Sequence, residues 1–274
     1  MQVRDAVSRT EVNIEIMRSK LDKREDLEIL EWITGIDYGP QQTDYIRRRQ
    51  VGTGQWFLDS EQYQAWLKTD EQTLFCSGIP GAGKTILMAT VIEDLTKRFA
   101  KDKTVGIAYV YFNFKHRFEE QPKELLSSLL RQLVVHQAAV PNSVRELYDK
   151  HHDKRTRPSL EEVSIALRSV AALYLRVFVI IDALDECQFE GHCRSTFLAE
   201  LYKLPGISKL ITSRPIPDIE ALFKGCPSLE ILASDEDISI YLDGRMKLLP
   251  SFMLDNQELR KQIKSEIISA VEGM

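Results

Sequence analysis

The chain has 274 residues, room for one large domain or two modest ones. Hydrophobic residues make up 43% and charged residues 28%, the balance of a soluble globular protein, which excludes a disordered tail, a collagen-like fibre and a disulfide-stapled miniprotein. With 36 basic against 41 acidic residues the net charge is −5, which argues against a nucleic-acid-binding domain, since such domains are usually strongly basic.

No run of about 18 or more apolar residues occurs, so no membrane span is expected. The N-terminal residues alternate charge with apolar side chains, which is not the pattern of a secretory signal. The four cysteines, Cys76, Cys187, Cys193 and Cys226, form no CxxC pair and read as reduced thiols of a cytoplasmic protein.

Residues 1 to about 33 carry many charges and neither proline nor glycine, with Val3, Val7, Ile14, Met17, Leu21, Leu27 and Leu30 at approximate helical spacing. An amphipathic helix packed on its own domain is expected; the heptads are too irregular for a coiled coil. Gly35, Gly39 and Pro40 break that pattern. From residue 72 strand-like and helix-like runs alternate. Gln72–Ser77 predicts a strand and Ile86–Phe99 a helix. Val105–Phe114 predicts a buried strand, and Pro122–Gln137 and Ser143–Lys150 predict helices. Ser159 and Glu162 form a capping-box pattern opening a helix through Leu173. Val177–Ile181 is wholly apolar and predicts a second buried strand. Phe197–Leu204 reads as a helix, and Lys209–Ser213 and Leu229–Leu232 as strands. A helical region runs from Ser234 through Ile238, Leu242 and Met246. Pro250 interrupts it before a last helix with Leu259, Ile263, Ile267 and Val271. The alternation predicts an α/β fold with a mostly parallel sheet flanked by helices.

Three constellations carry chemistry. The first is Gly78-Ile79-Pro80-Gly81-Ala82-Gly83-Lys84-Thr85, a full GxxxxGK[ST] phosphate loop between a predicted strand and a predicted helix. By composition such a match arises on the order of once in a hundred chains of this length, and the strand–loop–helix setting makes it more specific. The glycines let successive N–H groups turn inward toward phosphate oxygens, and the following helix adds its positive end. Lys84 would reach the β- and γ-phosphates, and Thr85 would offer its hydroxyl to Mg²⁺. The second is Asp182, a charge set directly after the apolar run Val177–Ile181 and costly to bury without a partner. A Mg²⁺ ion would be that partner. Asp185 or Glu186 would orient the attacking water, with Glu186 preferred. The third is Arg214, after the Lys209–Ser213 strand, placed to contact a γ-phosphate.

Together these elements resemble the NACHT family of signal-transduction NTPases, within the STAND class of P-loop proteins. Asp182, Ala183, Asp185 and Glu186 match its pattern of a Mg²⁺-binding aspartate, a small residue and following acidic residues, and Thr212-Ser213-Arg214-Pro215 looks like its sensor strand. The segments 48–58 (RRQVGTGQWFL), 75–81 and 180–187 look like fungal members of the nephrocystin-3-like N-terminal or NACHT–ankyrin type, and the likeness covers roughly residues 27–274. The resemblance implies a P-loop NTPase domain over 51–233, after an N-terminal helical segment and linker over 1–50. Residues 234–274 would begin a helical domain that looks truncated. It implies that the strand before Arg214 lies between the phosphate-loop strand and the Asp182 strand. It also implies that Thr53, Gly54 and Trp56 lie beside the base, the alternative being that Trp56 and Phe57 simply pack the linker on the core.

Other clusters are weaker. His151 and His152 sit in a charged stretch and read as a solvated loop. Cys187, His192 and Cys193 lack a fourth zinc ligand at a recognised spacing. Arg47–Arg49 reads as a solvated face or a phosphate-side contact, and Lys115, His116 and Arg117 receive no role. The expected activity is Mg²⁺-dependent binding and slow hydrolysis of ATP or GTP as a regulatory switch. By resemblance it would belong to incompatibility or innate-immunity signalling, with self-association through the NTPase domain. A nucleotide-binding scaffold or fragment without effective hydrolysis is the alternative. A small-molecule kinase is a third reading, disfavoured by the acidic pair Asp185–Glu186.

Overall fold

The structure, a computed structural model, describes residues 23–113, 121–187, 192–246 and 257–271. The first 22 residues of the expected N-terminal helix lie outside these, as do Phe114, Lys115, His116, Arg117 and Pro250.

The apolar runs form a four-stranded parallel sheet: β1 (Thr73–Ser77), β2 (Val105–Tyr111), β3 (Arg176–Asp182) and β4 (Ile207–Ser213). β3 does not alternate because both its faces are covered, and Val177 through Ile181 are all buried. The spatial order is β1-β4-β3-β2, which puts the Arg214 strand between the other two site strands, as the resemblance implied. Cys76 pairs with Thr212, Ile211 with Ile181, and Asp182 with Tyr111, so the strand ends finish level.

Helix α5 (Lys84–Arg98) joins β1 to β2 and packs on β2 and β3. Between β2 and β3 come α6 (Pro122–Val135), α7 (Asn142–His152) and α8 (Leu160–Ala171), and α9 (Cys193–Tyr202) precedes β4. α6 packs on β2, with α8 and α9 against α6. Because the strand order reverses after β2, right-handed crossovers put α5 and these later helices on opposite faces. The capping box forms: Ser159 Oγ accepts from Glu162 N at 3.2 Å, and Ser159 N donates to Glu162 Oε2 at 2.7 Å.

Residues 23–33 are helical (α1) and pack on their own domain, with Ile29 and Ile33 buried and Trp32 edge-on to Tyr148 at 5.2 Å. The sequence pattern passes over α2 (Gly39–Arg48), α3 (Gln55–Asp59) and α4 (Glu61–Lys68). Pro40, read as a breaker, occupies the first turn of α2, where its missing N–H has no partner to lose. α10 (Pro217–Leu222) is short and also begins on a proline.

Two expectations are corrected. Residues 229–232 are not a strand. The chain runs beside β1 through Phe75 N to Pro227 O, Leu229 N to Phe75 O and Ile231 N to Ser77 O, with one isolated bridge at Ser228. It lies at the sheet's rim, where Ser228, Glu230 and Leu232 stay exposed and no second ladder sustains the pairing. His151 and His152 are not a solvated loop: α7 continues through them. His151 is buried, with Nδ1 2.7 Å from Thr156 Oγ1 and Nε2 3.2 Å from Glu162 Oε1. The final helices, α11 (Asp235–Met246) and α12 (Gln257–Val271), are tied by Lys264 to Asp243 at 2.7 Å.

Candidate nucleotide-binding site

The loop between β1 and α5 turns at Gly81 and Gly83, with φ of 86° and 88°, a region that side chains strain to enter. Gly83 caps α5, so the helix opens with Lys84 and Thr85 at its positive end. Lys84 Nζ donates to Gly78 O at 2.7 Å and Ile79 O at 2.9 Å. Burial pushes its ammonium below the ordinary lysine range, against the pull of Asp185 and Asp182.

Across the cleft, β3 ends on Asp182, 2% exposed. Its Oδ2 accepts from Thr85 Oγ1 at 2.6 Å and its Oδ1 from Thr212 Oγ1 at 2.7 Å. Burial raises its pKa above the usual carboxylate range, opposed by the two hydroxyls and Lys84. Thr212 also accepts from Ala183 N at 2.9 Å, holding Ala183 in a left-handed conformation (φ 56°) that starts the tight turn Leu184–Glu186. Such strain in a non-glycine residue marks a site where neighbours over-determine the backbone. Thr212 is the residue whose part the sequence reading missed. Its signal was a hydroxyl inside a buried strand, which needs a polar partner.

That turn presents Asp185 and Glu186. Asp185, with a side chain 2% exposed, accepts from Arg214 Nε at 2.5 Å and Arg214 N at 3.0 Å, while the arginine is 49% exposed. Pro80, Gly81, Gly83, Lys84, Thr85, Ile86, Ala183, Asp185, Glu186 and Arg214 together line a cleft of about 370 Å³. Asp182 stands behind Thr85, outside the lining.

The oxygens of Thr85 and Asp182 suit a divalent cation. A carboxylate that is costly to ionise in a buried setting is one that a cation would hold ionised. Among the described residues no group of three or more His, Cys, Asp or Glu could hold a metal. One hydroxyl and one carboxylate fit a hard ion that completes its shell with phosphate oxygens and water, as Mg²⁺ does.

Thr53, Gly54 and Trp56 do not line this cleft. Arg49 forks onto Thr53 O at 3.0 and 2.6 Å. Gly54 N and Trp56 Nε1 both donate to Asp237 Oδ2 of α11, at 2.9 and 3.1 Å. A Cβ on Gly54 would fall 2.8 Å from the Leu87 side chain of α5, so the segment abuts the phosphate-loop helix. Ser234 and Asp237 have the spacing of an N-terminal cap, and Asp237 N donates to Ser234 Oγ at 3.1 Å. The Asp237 carboxylate instead reaches across to residues 54–56.

A parallel sheet with this strand order, a glycine loop opening a helix and an aspartate at the end of the strand two places away define a P-loop NTPase. Comparison with known proteins narrows this. Residues 52–214, more than half of the chain, match the family described as Nephrocystin 3, N-terminal. The chain belongs to that family, within the NACHT-like NTPases. It is 29% identical over 180 residues to the vegetative incompatibility protein HET-E-1 of Podospora anserina, which covers 60% of this chain and 12% of that relative's length. Among solved structures it is similar to the Aeropyrum pernix ORC1 protein in complex with DNA: 17% identity, TM-score 0.48, 80% of this chain and 54% of that one. It is also similar to AMPPCP-bound DnaA from Aquifex aeolicus: 14% identity, TM-score 0.38, 81% of this chain and 63% of that one. No helix among the described residues is long and apolar enough to cross a membrane.

Proposed function

We propose that the chain binds ATP or GTP with Mg²⁺ in the cleft beneath Lys84 and hydrolyses it slowly, as a NACHT-type regulatory switch in the cytoplasm. One observation carries this reading: groups from three separate strand ends, Lys84 and Thr85, Asp185 and Glu186, and Arg214, line one cleft.

The loop N–H groups and the α5 terminus receive the phosphates. The Lys84 ammonium turns from the loop carbonyls to β- and γ-phosphate oxygens, which offset the desolvation that lowers its pKa. Thr85 and Asp182 would hold Mg²⁺, which when bound neutralises charge on the phosphates. Asp185 is engaged by Arg214 through both its oxygens, which supports Asp185 as the group that aims the arginine at the γ-phosphate; Glu186, on the same turn and in the cleft lining, is the group proposed to orient water. Gly54 abuts α5 at Leu87, which supports the proposed place of Thr53, Gly54 and Trp56 beside the base.

By the same reading 51–233 is the NTPase domain, 1–50 its helical lead-in and 234–274 the start of a helical domain. Likeness to a vegetative incompatibility protein supports incompatibility-type signalling; self-association through the NTPase domain belongs to the same proposal.

The test is the nucleotide content of purified protein, released by denaturation and resolved by ion exchange, with Lys84→Ala alongside. Bound nucleotide in the wild type alone is expected, and it names the base. Nucleotide in both proteins moves the site elsewhere. Bound triphosphate with no phosphate release over hours gives the scaffold reading.

A further inference from the structure

We infer that Cys187 and Cys193 form a thiol pair that a hydroperoxide converts to a disulfide directly behind the turn carrying Glu186. Their sulfurs lie 3.6 Å apart and both residues are buried. Cys187 ends the Leu184–Glu186 turn, and Cys193 is the first residue of α9. A disulfide needs sulfurs about 2 Å apart, so a contraction of about 1.5 Å, within the reach of side-chain rotation, closes the bond.

Cys193 stands in the first turn of a ten-residue helix. The buried Arg194 guanidinium, which donates to Cys187 O at 3.4 Å, brings a cation to the same place. Cys76 sits inside β1, where burial pushes its thiol well above the ordinary range. Cys226 is half-buried.

The chemistry balances in two steps. One thiol gives up its proton and its sulfur attacks a peroxide oxygen; the O–O bond breaks and the departing hydroxide takes up that proton, giving a sulfenic acid and water. The second thiol attacks that sulfenic sulfur, the S–S bond forms, and a second water leaves. Two electrons pass from the sulfurs to the peroxide oxygens. Hydrogen peroxide is small and neutral enough to reach a buried pair, and a partner sulfur at 3.6 Å intercepts the sulfenic acid before further oxidation. The cross-link ties the end of the Glu186 turn to the start of α9. That consequence rests on the proposed role of Glu186; formation of the disulfide does not.

The experiment is peptide mapping of the full chain after peroxide treatment and denaturation in an alkylating reagent. Trypsin cleaves after Arg176 and Arg194, and the peptide Val177–Arg194 contains both cysteines and no other. The expected product is this peptide lacking two hydrogens, resistant to alkylation and restored by a thiol reductant. Cys193→Ala should abolish it and leave Cys187 as a sulfenic acid that dimedone traps. If Cys226 is oxidised while Val177–Arg194 remains fully alkylated, or if sulfinic acid accumulates without a cross-link, the thiol pair is refuted. Phosphate release from the cross-linked protein should fall about tenfold or more, because a displacement of roughly 1 Å at a catalytic group costs up to about a hundredfold. It should recover on reduction. Unchanged release from cross-linked protein overturns the coupling to Glu186. No release from reduced protein counts against the proposed hydrolysis, and the peptide result still decides the pair.

Discussion

Asp182 and Asp237 each gather two hydrogen-bond donors, and they do opposite things. Asp182 takes the hydroxyls of Thr85 and Thr212 just behind the lining of a cleft. Asp237 takes the N–H groups of Gly54 and Trp56 between two packed segments. A hydroxyl is a rotor that can donate or accept, so Thr85 can hand its oxygen to a ligand without breaking the fold. A backbone N–H and an indole N–H can only donate, so their bonds to Asp237 are spent on holding α11 against residues 54–56. The first arrangement is poised for exchange; the second is a clasp.

The largest effect should come from the cleft. Lys84→Ala should weaken triphosphate binding at least about a hundredfold, the scale of losing one charge-assisted partner in a desolvated contact, with little change in thermal stability. Nucleotide titration beside a melting curve separates the two; if affinity holds, the contrast between the regions collapses. Next, Glu186→Gln should keep binding and slow phosphate release about a hundredfold or more. Should Asp185→Asn alone remove turnover, the water-orienting role belongs to Asp185.

The clasp should respond the other way. Asp237→Ala leaves two N–H donors without their acceptor and should cost about 1–3 kcal/mol. Hydrogen exchange should quicken in residues 50–58 and 235–246 together. An unchanged exchange pattern there would show that Asp237 holds nothing in place. The smallest effect is set far from both regions. Hydrogen bonds from Lys150, then Ser159 N and His151, hold the Glu162 carboxyl well below its ordinary range. A depressed carboxylate stabilises the fold above the unfolded-state value, and that stability is lost as pH falls through the folded one. Glu162→Gln should therefore melt earlier than wild type near neutral pH, with the gap closing below the usual carboxylate range. A gap that persists in acid would assign the effect to packing.

Much of the site was legible because its chemistry is local. The residues 78–85 must be contiguous to wrap a phosphate, and Asp182 had to follow an apolar strand to be buried at its end. The sheet was legible for the same reason, since a strand covered on both faces is a continuous apolar run, as Val177–Ile181 is. The N-terminal helices were not. Gly39 and Pro40 read equally as the end of one helix or the start of another, and only the packing of α2 on α5 separates these meanings. Residues 229–232 erred the other way: their pattern suits a strand, but a rim position gives them a neighbour on one side alone.

The sequence by itself determined that a phosphate loop, a buried acidic strand end and an arginine strand end exist, because each is written in consecutive residues. Only the tertiary structure decided that Thr212 braces Asp182, that Arg214 is held by Asp185, that Asp237 clasps Gly54 and Trp56, and that Cys187 meets Cys193. Each of these contacts depends on the course of the backbone between its partners, from the five residues separating the two cysteines to the long span between Trp56 and Asp237. Residue spacing constrains neighbours along one helix or strand; where separate elements meet is set by the burial of the whole core.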